Sequence, residues 1–117
     1  MNTRKIGELG EQIAGAFLSL KGYEILKRNY RFAGREIDLI ARKGVFLVAV
    51  EVKLRRGTRF GRAVEAVDRR KLERIHVALG GAASAIGRSM RPRVDLVVID
   101  LNNGSTEMTV RHIKGVS

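Results

Sequence analysis

The sequence predicts an α/β domain with a central mixed β-sheet flanked by helices, in the order α-β-β-β-α-β-β. Three observations predict it. Two separated stretches carry apolar residues at helical spacing, and strand-like apolar runs lie between and after them. The chain has 117 residues, which fills one domain spanning 1–117 and leaves little room for a second. The runs must therefore share one sheet, with the helices covering its faces.

The first helix covers roughly residues 4–21, where Ile6, Leu9, Ile13, Phe17 and Leu20 recur at helical spacing and Gly22 supplies the stop. Three strands follow, Tyr23 to Phe32, Arg35 to Arg42 and Val45 to Leu54, with Lys43-Gly44 as the hairpin turn between the last two. A basic loop from Arg55 to Arg62 is punctuated by Gly57 and Gly61. The second helix runs from about Ala63 to Leu79, with Val64, Val67, Leu72, Ile75 and Leu79 facing inward, and Gly80-Gly81 ends or weakens it. The stretch from Ala82 to Pro92 reads as a short helical extension or a loop. Val94 to Leu101 is a near-continuous apolar run, as expected of a strand buried on both faces. Asn102-Asn103-Gly104 turns the chain, and Met108 to Ile113 forms an edge strand.

Hydrophobic residues make up 44% of the chain, enough for a core and against disorder. Lys and Arg number 23 against 12 acids, a net charge of +11, and the pI is near 11.1. So basic a surface attracts polyanions, and nucleic acid is the commonest of them. A membrane surface is the competing polyanion, but no lipidation signal or long basic amphipathic tail supports it. Cysteine is absent, so disulfides and thiolate metal sites are excluded. The charged N-terminal stretch Met1-Asn2-Thr3-Arg4-Lys5 lacks a signal-peptide core, and a cytoplasmic protein is the simplest expectation.

Strand alternation places Glu51 and Lys53 on the face of Val45, Leu47 and Ala49, opposite the apolar set Phe46, Val48, Val50, Val52 and Leu54. In the preceding strand Glu36, Asp38 and Ile40 share one face, and Ile37, Leu39 and Ala41 the other. A two-residue turn at Lys43-Gly44 sets Asp38 opposite Ala49 and diagonal to Glu51, whereas a four-residue turn sets it directly opposite Glu51. Either register brings the two carboxylates together. Neighbouring like charges raise each other's pKa unless a cation intervenes. Mg²⁺ or Mn²⁺ fits such a site, since hard cations take one or two carboxylates, waters and phosphate oxygens. Lys53 could then position the attacking water or neutralise charge at phosphorus. A structural ion pair of Lys53 with Glu51 or Asp38 is the other reading. Spacing alone favours it slightly, because Glu-x-Lys is common in strands.

Asp38, twelve intervening residues and then Glu51-Val52-Lys53, placed between two helices, resemble the PD-(D/E)xK core of the restriction-endonuclease-like fold. The whole chain resembles the YraN-like family of small bacterial proteins. The matching stretches are Gly7-Glu8-Leu9-Gly10-Glu11 with Ala14, Gly22-Tyr23, Arg28-Asn29-Tyr30-Arg31, Glu36-Ile37-Asp38-Leu39-Ile40, Val50-Glu51-Val52-Lys53 with Arg55, Phe60-Gly61, Ala66-Val67 with Arg70-Lys71, and Arg93-Val94-Asp95. Three positions depart from the pattern. Ile37 stands where the motif's name expects proline, Arg35 where the family usually has glycine, and Leu54 where threonine is more usual. The resemblance implies a metal-dependent endonuclease acting on DNA, branched or nicked DNA included. Asp38, Glu51 and the Val52 carbonyl would hold metal, and Lys53 would assist water attack. Glu11, at the edge of the first helix's apolar sector beside Gly7, Ala14, Gly15 and Leu18, would complete the metal shell or hold a water. It serves equally as an ordinary boundary glutamate. Nucleases of this fold often dimerise, so a homodimer is compatible with the resemblance.

From Lys53 to Arg74 nine basic residues face three acids, a net of +6. Arg55, Arg56, Arg59, Arg62, Arg70 and Lys71 are the candidate phosphate contacts, leading a backbone toward the acids without reading sequence. Tyr23, Tyr30 and Phe60 are too scattered for a base-stacking platform. His76 and His112 are assigned to structure. Two further readings stand beside the nuclease: a non-catalytic nucleic-acid-binding module on the same fold, and an adaptor whose basic face meets an acidic protein.

Overall fold

The computed structural model describes residues 3–32, 34–56, 68–86, 89–102 and 106–117. Helix α1 (Thr3–Leu20) leads into strands β1 (Glu24–Phe32), β2 (Arg35–Lys43) and β3 (Phe46–Arg56); helix α2 (Arg69–Ile86) then precedes β4 (Arg91–Asn102) and β5 (Glu107–Ile113). The strands form one sheet in the order β1-β2-β3-β4-β5. The β3–β4 pair is parallel and the other three pairs are antiparallel. This is the expected mixed sheet in the expected element order, with β5 at an edge. No helix among the described residues is long and apolar enough to cross a membrane.

The helices cover opposite faces. Ala14 and Leu18 of α1 pack with Leu39, Ala41, Val48, Val50, Val97 and Ile99. Leu72, Ile75, Leu79 and Ala83 of α2 pack with Ile40, Leu47, Ala49 and Val94. Strand β4 lies between β3 and β5, and its residues from Val94 to Asp100 are buried on both faces, which explains its continuous apolar run.

Four details correct the sequence reading. The turn residues are Gly44 and Val45, because Lys43 pairs with Phe46. Gly44 takes φ +59 and Val45 does not go positive, as a type II′ turn requires. Leu20, expected inward, is 89% exposed. The contact stripe of α1 is Gly10, Ala14 and Leu18, whose small members let the helix lie close; a Cβ on Gly10 would sit 3.2 Å from the Leu54 Cβ. The Gly80-Gly81 pair does not end α2, which continues to Ile86 and buries Ala82 and Ala83. Ile37 packs against α2 with Ile40, while Leu39 packs against α1. Strict alternation would put Ile37 and Leu39 on one face, so it breaks at Asp38 between them. The expected inward positions Val64 and Val67, and the turn residues Asn103 and Gly104, lie outside the described residues.

Candidate functional site

The break in alternation builds the site. Strands β1 and β2 pair through Arg28↔Leu39 and Tyr30↔Ile37, with no pairing between Asn29 and Asp38. Asn29 has φ +50, the left-handed conformation that Asn tolerates best among residues with a Cβ. On the other side, the β2–β3 ladder stops at Leu39↔Val50. The next step of that register sets Asp38 directly opposite Glu51, the second of the two expected arrangements. There Asp38 Oδ2 accepts the Val52 N–H at 2.9 Å, so its carboxylate takes the place of a ladder acceptor in the gap between the strands.

Glu51 is only 4% exposed. Its Oε2 lies 2.9 Å from the Lys71 ammonium in the first turn of α2, and its Oε1 has no hydrogen-bond partner. Burial raises the pKa of both carboxyls. For Glu51 the charge of Asp38 adds to the rise, and the Lys71 hydrogen bond opposes it. For Asp38 the Val52 hydrogen bond and the charge of Lys71 oppose burial, and the charge of Glu36 adds to it. The Lys71 pKa is raised in turn, first by its hydrogen bond to Glu51. One ammonium thus pairs with buried Glu51 and acts through its charge on half-buried Asp38, and Glu51 Oε1 remains unsatisfied among the described residues.

The other sequence candidates take distinct places. Lys53 is exposed, within electrostatic reach of both acids. Glu11 stands on α1; burial and the charge of Asp38 raise its pKa, while a hydrogen bond from the Asn29 side chain opposes them. Among the described residues no three of His, Cys, Asp and Glu gather into a group able to hold a metal. Asp38 and Glu51 are therefore brought together, with Glu11 beside them rather than in one cluster. Val52 engages the site through its N–H. Glu36 pairs at the surface with Arg31 at 3.5 Å. Of the phosphate candidates, Arg55 and Arg56 extend β3, Arg70 is exposed on α2, and Lys71 is turned onto Glu51. Arg59 and Arg62 lie outside the described residues.

Sequence reasoning missed one residue, Asn29, and the role that Lys71 plays on Glu51. Asn29 carried a legible signal, since Asn is depleted in strands and favours positive φ. The role of Lys71 depends on how α2 docks, which no local spacing encodes. Asp68 fixes that docking end: its Oδ1 accepts the Arg70 N–H at 2.9 Å, and its carbonyl accepts the Leu72 N–H. This is an N-cap, and it holds the first turn that carries Lys71.

A separate polar cluster lies on the α1 face. Asp95 accepts hydrogen bonds from Arg93 Nε and Nη2, His112 Nε2 and the Gly115 N–H at 2.7–3.0 Å. Arg93 also donates to the Tyr23 hydroxyl, and Lys21 Nζ reaches His112 Nδ1 at 2.6 Å. Burial would raise the Asp95 pKa, but these donors outweigh it and hold the carboxyl below its ordinary value. Every group here has its partner, which suits a structural clasp.

The model of an uncharacterised protein family, UPF0102, matches residues 10–99 of the chain. A UPF0102 protein of Symbiobacterium thermophilum is 44% identical over 99 residues, covering 84% of each chain. Another, from Beutenbergia cavernae, is 39% identical over 112 residues, covering 95% of this chain and 94% of its own.

Proposed function

The chain belongs to the uncharacterised protein family UPF0102, and we propose that it is a Mg²⁺- or Mn²⁺-dependent endonuclease hydrolysing phosphodiester bonds in DNA. The observation that carries this reading is the pair of carboxylates, buried Glu51 and half-buried Asp38, at the split between β2 and β3, with Glu51 Oε1 left unpartnered among the described residues. The donor set fits a hard divalent cation. It offers only oxygens, and two carboxylates leave further positions for water and phosphate oxygens. When bound, such an ion polarises the phosphate and lowers the pKa of a coordinated water.

The chain's own residues divide the remaining work. Asp38 and Glu51 would hold the ion, with the Val52 carbonyl as a further oxygen donor, while Glu11, which stands outside that pair, would act through water. Asp38 is oriented by the Val52 N–H, and Glu51 by Lys71. Lys53, exposed on the Glu51 face, would meet the incoming phosphate or orient the attacking water. The net +11 charge draws the polyanion to this surface. Branched or nicked DNA is the finer substrate assignment.

One observation favours a second reading. Lys71 already supplies a counter-charge to Glu51, as it would in a nucleic-acid-binding module whose acids serve only structure. The two separate in one experiment. Plasmid, single-stranded and junction DNA are incubated with the protein and Mg²⁺ or Mn²⁺, beside Asp38→Ala and Lys53→Ala. The nuclease reading expects cleavage that Asp38→Ala abolishes and Lys53→Ala slows by about 10²–10³-fold. Cleavage surviving both substitutions sinks it, and binding without cleavage under either metal establishes the module.

A further inference from the structure

The end of the β1–β2 hairpin and helix α2 flank a groove of about 650 Å³. Its hairpin wall is Phe32 and Arg35, the last pair of the β1–β2 ladder. Its helical wall is one stripe of α2, Arg70, Arg74, Val77 and Ala78, at spacings of three, four, seven and eight residues. The lining is largely apolar, yet three arginines rim it, and none forms an ion pair within 4 Å among the described residues. Glu73 is the single acid among the described residues of the wall.

Several features make this groove more than a gap between elements. The Phe32 ring is seated against Gly81, where a Cβ would come within 2.7 Å of its Cε1. It also stacks with Tyr30, ring planes 9° apart. An aromatic ring is thus held at the groove wall by a glycine in mid-helix, where glycine costs helix stability. Val77 faces solvent at 77% exposure, an apolar side chain with nothing covering it. Asp68 caps the N-terminal turn of α2 and Glu51 pairs with Lys71, while Arg69 and Arg70 in the same turn are exposed and form no ion pair among the described residues.

We infer that this groove takes one unpaired nucleotide of a DNA strand. The base lies on Phe32 and the wall of Val77 and Ala78, and the flanking phosphates lie on Arg35, Arg70 and Arg74. The volume sits within the roughly 300–1,000 Å³ of small-molecule sites, which suits a nucleotide better than a duplex. A largely apolar groove rimmed by guanidiniums that are unpaired among the described residues matches a base and its phosphates, because stacking accepts any base while arginines hold the backbone. Glu73 can accept from the exocyclic amine of adenine or cytosine. Lys71 holds Glu51 one residue beyond Arg70, and Arg35 lies three residues before Asp38, so an unpaired base in the groove sets its own strand beside the acids. This inference rests on the nucleic-acid part of the reading above and is independent of cleavage.

The test measures binding of a fluorescent single-stranded 12-mer, and of a blunt duplex of equal length, in EDTA so that no cutting intervenes. Single strand is expected to bind tighter than duplex. Phe32→Ala should weaken single-strand binding by about 5- to 150-fold, the loss of one base stack, and leave the salt dependence unchanged. Arg74→Gln should weaken it and lower the salt slope by about 0.7. Val77→Glu places an acid in the slot at an exposed position that folding does not need, and should also block single-strand binding. Unchanged binding by Val77→Glu, equal affinity for duplex, or equal capture of a polyglutamate peptide would each overturn the groove. Cleavage that proceeds without any effect of these variants removes the groove and keeps the nuclease. Groove binding without cleavage in Mg²⁺ or Mn²⁺ removes the nuclease and keeps the groove.

Discussion

The Val52 amide donates to the Asp38 carboxylate across the gap where the β2–β3 ladder has ended. The contact fixes one strand edge and one buried charge together, so the two effects of Asp38 can be separated. Asp38→Ala leaves the amide without its acceptor and should cost about 1–3 kcal/mol of stability. Asp38→Asn retains an acceptor oxygen and removes a charge that burial disfavours, so it should unfold at a urea concentration equal to or above wild type. Both should abolish any rise in melting temperature on adding Mn²⁺, since that rise needs the carboxylate.

Glu51 and Lys71 give a pH dependence of defined sign. Burial raises the folded pKa of Glu51 above its ordinary value, so the folded state holds this proton more tightly than the unfolded chain. The stabilisation from that proton is fully present below the ordinary value of 4.5 and is lost as pH rises through the folded pKa. Glu51→Gln should therefore gain stability over wild type at pH 7 and lose that advantage by pH 4. Lys71→Met at pH 7 strips Glu51 of its ammonium and should cost about 1–3 kcal/mol, a deficit that shrinks on acidification as Glu51 protonates. The deficit should nearly vanish in a Glu51→Gln background, which urea titrations of the double-mutant cycle read directly. A Lys71→Met deficit that stays constant from pH 7 to pH 4 would contradict the pairing.

Asp95 makes the opposite case, a buried carboxyl whose donors outweigh burial. Its folded pKa is depressed, so its contribution is present above the ordinary 3.8 and is lost as pH falls through the folded value. Asp95→Ala strands the Arg93 guanidinium and the Gly115 N–H together and should cost about 3–5 kcal/mol. Among the substitutions argued here it should be the most destabilising. Its effect on DNA cleavage should follow the folded fraction alone, because the clasp sits on the α1 face away from Glu51. The comparison to make is activity per folded molecule, with folding measured by circular dichroism.

The sheet and its element order are legible because period-two apolar patterning marks the buried faces. Patterning brings Asp38 and Glu51 together in two registers, and the Gly44-Val45 turn selects the directly opposed one. Ile37 was misassigned because alternation presumes a regular strand, and Asn29 and Asp38 interrupt theirs together. Leu20 was misassigned because the spacing argument weighs large residues, whereas α1 docks through Gly10 and Ala14. The sequence does not reveal that Lys71 meets Glu51, because that partner lies twenty residues away on another element and charge alone does not say which anion an ammonium meets.

The glycine pair of α2 yields the last prediction, from one misreading with two different causes. Both residues are helical, so both forgo roughly 0.5–1 kcal/mol relative to alanine. A Cβ on Gly80 would meet nothing within 4 Å, whereas one on Gly81 would press on the Phe32 ring. Gly80→Ala should therefore recover that full amount as a rise in unfolding midpoint. Gly81→Ala gains the same helix term and then loses packing as the ring tip moves aside, so its net gain should be smaller or negative. Phe32→Ala removes the obstacle, and in that background the two glycine substitutions should become equal. If Gly81→Ala matches Gly80→Ala with Phe32 in place, the ring does not rest where the structure puts it.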